Sequence, residues 1–164
     1  MTDVGSESGA ERHRILRELR QQLEQHPAVE AAWGEPEGSY AEVVASVNPS
    51  FFGRETETAT LRLVWYPAPT YTEDESDAHG DGWIENPRTH FEAMFKLHYS
   101  ESSGYDCGFY IEPNPHVEGW FHFQERDSPD TEYEYEPSRL DARSPVSALW
   151  ELLDLLEERL TDVS

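Results

Sequence analysis

The chain has 164 residues, 37% hydrophobic and 12% aromatic, with 34 acidic against 12 basic side chains and a net charge of −22. That length suits one domain with a full core and excludes two comfortable ones, and large rings that each bury much area exclude wholesale disorder. The single cysteine, Cys107, excludes an intrachain disulfide and a cysteine-based zinc site.

Residues 1–8 are polar and acidic without an apolar core; they are expected to be disordered and do not read as a secretory signal. Ser8-Gly9-Ala10-Glu11 has capping-box spacing and predicts a helix from there to His26-Pro27, with Ile15, Leu16, Leu19 and Leu23 as its apolar stripe. Arg12, Arg14, Arg17 and Arg20 read as a solvated face pairing with Glu11, Glu18 and Glu24. After Pro27 the pattern turns to period two: Val29, Ala31 and Trp33, then Tyr40 to Val47, then Thr58 to Tyr66 with Leu61, Leu63 and Trp65 on one face. Residues 67–89 read as a long acidic loop, in which Asp77, His79 and Asp81 alternate without a rigid frame to hold a metal.

The clearest hairpin follows. Phe91, Ala93, Phe95, Leu97 and Tyr99 alternate with polar residues, a Ser100-to-Gly104 turn intervenes, and Tyr105, Cys107, Phe109 and Ile111 repeat the alternation. Trp120 to Arg126 reads as a further strand, and Tyr133 and Tyr135 as an edge strand. Ser144-Pro145 opens the last helix, whose spine is Val146, Leu149, Leu153, Leu156 and Leu160. The whole is expected to be one α+β domain, 1–164: an antiparallel β-sheet meander with N- and C-terminal helices packed on one face.

Strand parity locates the candidate chemistry. Pairing residue 99 with 105 puts His98 opposite Asp106, with Lys96 on the same surface; closing the next hairpin around 113–119 puts Tyr110 opposite His122. One patch then carries Lys96, His98, Asp106, Tyr110 and His122, with His116 in the adjoining loop and Arg126 at the strand end. An imidazole oriented by a carboxylate, a second by a phenol, and nearby cations are the parts for acid–base work on a phosphodiester. His98, Asp106, His116, His122 and Lys96 are the candidate catalytic residues, and Tyr110 and Arg126 the candidate substrate-binding ones. A ribose 2′-hydroxyl would supply the nucleophile, which makes RNA the natural substrate. The competing reading is a set of solvated cross-strand partners. His116, Glu118, His122 and Glu125 match no standard zinc spacing, so neither a metal nor a cofactor is expected.

The charge speaks first of solvent. Eleven of the twelve basic residues are arginine and Lys96 is the only lysine, the pattern of a salt-adapted, halophilic cytoplasmic protein. At about 1 M salt the Debye length is about 3 Å, so a distant negative field does not forbid phosphate at a local cationic cluster. No apolar run approaches the roughly 20 residues of a membrane span.

The stretch over residues 95–160 carries a resemblance. Its Phe95-Lys96-Leu97-His98-Tyr99 strand, tight turn and second strand lead to Asn114-Pro115-His116-Val117-Glu118-Gly119-Trp120-Phe121-His122, then Tyr133-Glu134-Tyr135 and a leucine-rich closing helix. It resembles the TumE-like family of small toxin–antitoxin proteins, with His116, Gly119 and His122 matching the family's histidine-containing segment. The resemblance implies a toxin neutralised by a helix-turn-helix antitoxin partner. The expected partners are that protein, the RNA to which the site chemistry points, and a second copy of the chain. A second function, a non-catalytic binding or regulatory protein whose aromatic and acidic surface docks a partner, would be favoured by exposure of Trp33, Trp83 and Trp120.

Overall fold

The computed structural model describes residues 4–36, 40–67, 93–111 and 121–163. Helix α1 (Val4–Leu23) is followed by strands β1 (Val29–Glu35), β2 (Glu42–Val47), β3 (Ala59–Pro67), β4 (Ala93–Glu101), β5 (Asp106–Ile111), β6 (Phe121–Arg126) and β7 (Glu134–Pro137), and helix α2 (Pro145–Val163) closes the chain. Among the described residues seven strands form one antiparallel sheet in the order β1-β2-β3-β4-β5-β6-β7, a meander in which each of them pairs with its neighbour in that order. The fold is α+β, as the two periodicities of the sequence predict.

Period-two alternation divides the sheet into an apolar inner face and a polar outer one. Val43, Ala45, Leu61, Leu63, Phe95, Leu97, Phe109, Ile111, Phe121 and Phe123 point inward and are buried. Leu16, Leu19 and Leu23 of α1 and Leu149, Leu152, Leu153, Leu156 and Leu160 of α2 close over that face and are buried with them. Each buried Val, Leu, Ile or Phe among them contributes about 1.5–3 kcal/mol relative to exposure. Trp150 Nε1 donates to Gln22 Oε1 at 2.9 Å, which ties the two helices together.

The ends of the elements follow local chemistry, with one departure. Pro145 is the first residue of α2, and Ser144 Oγ accepts from Ser147 N at 3.2 Å, the expected cap. Asn48 caps a short 3-10 turn at Pro49–Phe52 that period-two reading passes over, accepting from Ser50 N. Helix α1, by contrast, starts at Val4, so Ser8 lies inside it and does not cap it. A capping box is worth only about 1 kcal/mol and yields when the residues before it also take helical dihedrals. The expected acidic loop lies almost wholly outside the described residues.

The β4–β5 register differs from the expected one by two residues. Tyr99 pairs with Cys107 and Ser100 with Asp106, whereas the sequence reading paired 99 with 105. The cause is the turn. Gly104 N donates to Glu101 O and Glu101 N to Tyr105 O, which closes a three-residue loop with Gly104 in the positive-φ position at 106°. An even shift preserves parity, so every side chain stays on its expected face while its direct partner changes.

Candidate functional site

The outer face of β4, β5 and β6 is where the chemistry-bearing residues meet. His98 lies opposite Gly108 and not, as expected, opposite Asp106; Lys96 lies opposite Tyr110, and Tyr110 opposite His122 as expected. Arg62 of β3 is opposite His98 on the other side.

His98 nevertheless reaches Asp106 along the diagonal, with Nε2 3.3 Å from Oδ1. Its Nδ1 lies 2.5 Å from Tyr110 Oη. A carboxylate only accepts, so the proton of the neutral ring is assigned to Nε2, leaving Nδ1 to accept from the phenol. The result is a chain Tyr110 O–H, His98, Asp106. Asp106 is buried and held on both oxygens: Arg126 Nε donates to Oδ2 at 2.7 Å and Tyr133 Oη to Oδ1 at 2.5 Å. The Arg126 guanidinium also stacks 4.4 Å from the Tyr133 ring centroid. Burial pushes the His98 imidazole below its ordinary value; Asp106 pulls it up, while Arg126 and Arg62 push it down. The ring is therefore neutral at pH 7 and able to accept a proton.

His122 plays a different part from His98. It is fully buried, and its ring stacks on Tyr110 at 5.4 Å and 14°. Its Nε2 faces Gln124 Oε1 at 3.2 Å, and Tyr135 packs 6.0 Å away. Tyr110 stands between the two imidazoles and touches both. The two histidines are on one face, as parity requires, but His122 sits behind the phenol and only His98 is partly exposed. His116 lies outside the described residues, as do Glu118, Trp83 and Trp120.

No family model, no curated protein and no solved structure matches the chain.

Sequence reasoning missed three members of this site. Gly108 provides the gap that His98 occupies: a Cβ there would lie 2.8 Å from Leu97 O and 3.0 Å from His98 Nδ1. Arg62 could have been placed by parity between Leu61 and Leu63. Tyr133 could have been placed by extending the β6–β7 pairing by one pair, which sets it opposite Arg126. Among the described residues no group of three or more His, Cys, Asp or Glu side chains is placed to hold a metal ion. Among the same residues no helix is long and apolar enough to cross a membrane.

Proposed function

We propose that the chain is the toxin component of a TumE-like toxin–antitoxin pair, acting on RNA by acid–base chemistry centred on His98. The observation that carries this reading is the His98 imidazole held between Asp106 and Tyr110, with Nδ1 2.5 Å from the phenol. A ring so placed accepts a proton without a search for orientation, which contributes typically 10²–10⁴-fold to such a step. Three of the twelve basic residues, Arg62, Lys96 and Arg126, share the outer face with it. Arg62 is paired there with Glu42 and Arg126 with Asp106, so in a chain of net charge −22 these cations offset the carboxylates around the imidazole, which eases the approach of a phosphate. The antitoxin would be a small helix-turn-helix protein, and the acidic remainder of the surface suits a salt-rich cytoplasm. Thermal stability that rises steeply from dilute buffer to molar KCl is the expected sign of that solvent.

The test is induced expression of wild type against His98→Ala, with and without a helix-turn-helix protein encoded beside it. Growth arrest by the wild type alone, relieved by His98→Ala and by the neighbour, supports the reading; equal growth of the two strains removes it. His98 is the better probe than His122, whose fully buried ring would be lost from the packing as well as from the chemistry.

A second reading, a non-catalytic docking face, is favoured by Trp33. It is 41% exposed. Its register partner Val44 pairs in turn with Arg62, and Arg62 with His98, so Trp33 lies in the same outward row. Retention of a bound partner by His98→Ala but not by Trp33→Ala would distinguish docking from catalysis.

A further inference from the structure

We infer that the atom of this site that meets the substrate is the phenolic oxygen of Tyr110, with His98 behind it as a positioning residue that stores the proton. The inference rests on the RNA-directed reading above and changes which group does the contacting. Both ring nitrogens of His98 are engaged, Nε2 against Asp106 and Nδ1 against Tyr110. Any proton that His98 takes or gives therefore passes through Tyr110 Oη. His122 offers no second route, because it is fully buried and its Nε2 faces Gln124.

Tyr110 is built to stay in place. Its ring is stacked on His122 at 14° on one side and tilted against His98 at 6.1 Å on the other. A Cβ at residue 108 would lie 3.0 Å from Tyr110 Cε2, so glycine is the residue that lets phenol and imidazole approach each other over the strand. Tyr110 is half-buried, and its register partner on β4 is Lys96, a cation beside the place where charge would develop.

The ribose 2′-hydroxyl gives its proton to Tyr110 Oη while Tyr110 gives its own to His98 Nδ1. The 2′-oxygen forms a bond to phosphorus, the bond from phosphorus to the 5′-oxygen breaks, and the leaving oxygen takes a proton from water. The proton on His98 then returns to water through Tyr110. The products are a 2′,3′-cyclic phosphate end and a 5′-hydroxyl end.

The experiment uses the full chain in molar KCl with a fluorophore-labelled, mixed-sequence single-stranded RNA. Wild type, His98→Ala and Tyr110→Phe are compared. Tyr110→Phe keeps the stacked ring and removes only the oxygen, so kcat is expected to fall about 100-fold or more with KM little changed. The acidic limb of the pH–rate profile, set by His98, should vanish from the residual activity. Loss in His98→Ala but full activity in Tyr110→Phe overturns the inference and leaves the function standing. An inert wild type, or an active His98→Ala, removes the function and the inference with it. Nitrogen-15 spectra of the wild-type His98 ring give a check that needs no variant to fold: Nδ1 must be the unprotonated nitrogen near pH 7, and a proton resident there overturns the relay.

Discussion

Gly108 lies directly opposite His98 in the β4–β5 ladder, and the missing side chain is the space in which the imidazole reaches both Asp106 and Tyr110. A glycine inside a strand weakens it, so its presence here marks a close approach. Gly108→Ala would set a Cβ 2.8 Å from Leu97 O, a backbone atom, and 3.0 Å from His98 Nδ1. We expect it to destabilise the fold by about 1–3 kcal/mol through overpacking. It should also separate His98 from Tyr110, seen as a change in the His98 ring nitrogen shifts. An unchanged denaturation midpoint with unchanged shifts would mean that the strands part easily and that the gap has no structural role.

The electrostatics of His98 make a second prediction with a defined sign. Burial lowers its pKa, with Asp106 opposing and with Arg126 and Arg62 assisting. Asp106→Asn removes the opposing charge, so the His98 pKa should fall further; Arg62→Ala should raise it. The folded ring binds its proton less readily than the unfolded one, near 6.5. Stability from the neutral ring is thus complete above that value and lost as pH falls through the lower folded value. Proton NMR titration of the His98 ring in the three proteins measures the order directly. A higher pKa in Asp106→Asn would show that the Asp106 carboxylate does not favour the charged ring at this position.

How far the sequence could be read depends on which physical signal was in play. Parity along Phe95-Lys96-Leu97-His98-Tyr99 placed His98 and Lys96 on the outer face, because a side chain's face depends only on alternation. Tyr110 opposite His122 followed from the same logic and is what the ladder shows. The partner of His98 did not follow, because the choice among turn lengths rests on the dihedral of one residue, Gly104. The diagonal reach to Asp106 depends on the absence of a side chain at Gly108, which alternation treats as a gap and not as a contact. Burial of His122 depends on its ring neighbours Tyr110 and Tyr135 on two other strands, and no local pattern encodes that.

On the inner face, Glu101 carries a stability prediction. Its side chain is 1% exposed and accepts from Arg54 Nε at 2.6 Å, Arg54 Nη2 at 3.1 Å, Tyr99 Oη at 2.7 Å and Ser103 Oγ at 2.8 Å. Burial pushes this carboxyl up, but the Arg54, Tyr99 and Ser103 hydrogen bonds outweigh it and hold Glu101 below the usual carboxylate range. Arg54→Ala leaves the carboxylate buried without its cation and should cost about 3–5 kcal/mol in urea denaturation. The stabilisation is present above the ordinary glutamate value and lost as pH falls through the lower folded one. Glu101→Gln should therefore flatten the acid limb of the stability profile. A cost under about 1 kcal/mol for Arg54→Ala would show that water replaces the guanidinium.

Cys107 offers a readout of how these pieces open. It lies on the inner face of β5, fully buried, between its register partners Tyr99 and Glu125. Burial pushes its thiol up to about 12; Tyr105 pulls against that rise while Glu125, Asp106 and Glu101 add to it. The thiolate is the reactive species, so the native protein should resist a disulfide reagent at pH 8 both by exclusion and by protonation. Against the urea-unfolded chain we expect labelling slowed at least about a thousandfold, the factor set by a fold stable to 5 kcal/mol or more. Arg54→Ala should raise the native labelling rate by the factor that its denaturation cost implies, if exposure of Cys107 requires opening of the whole sheet. A rate that rises by much less would show that β5 is released by a smaller motion, one that leaves the Arg54–Glu101 pair intact.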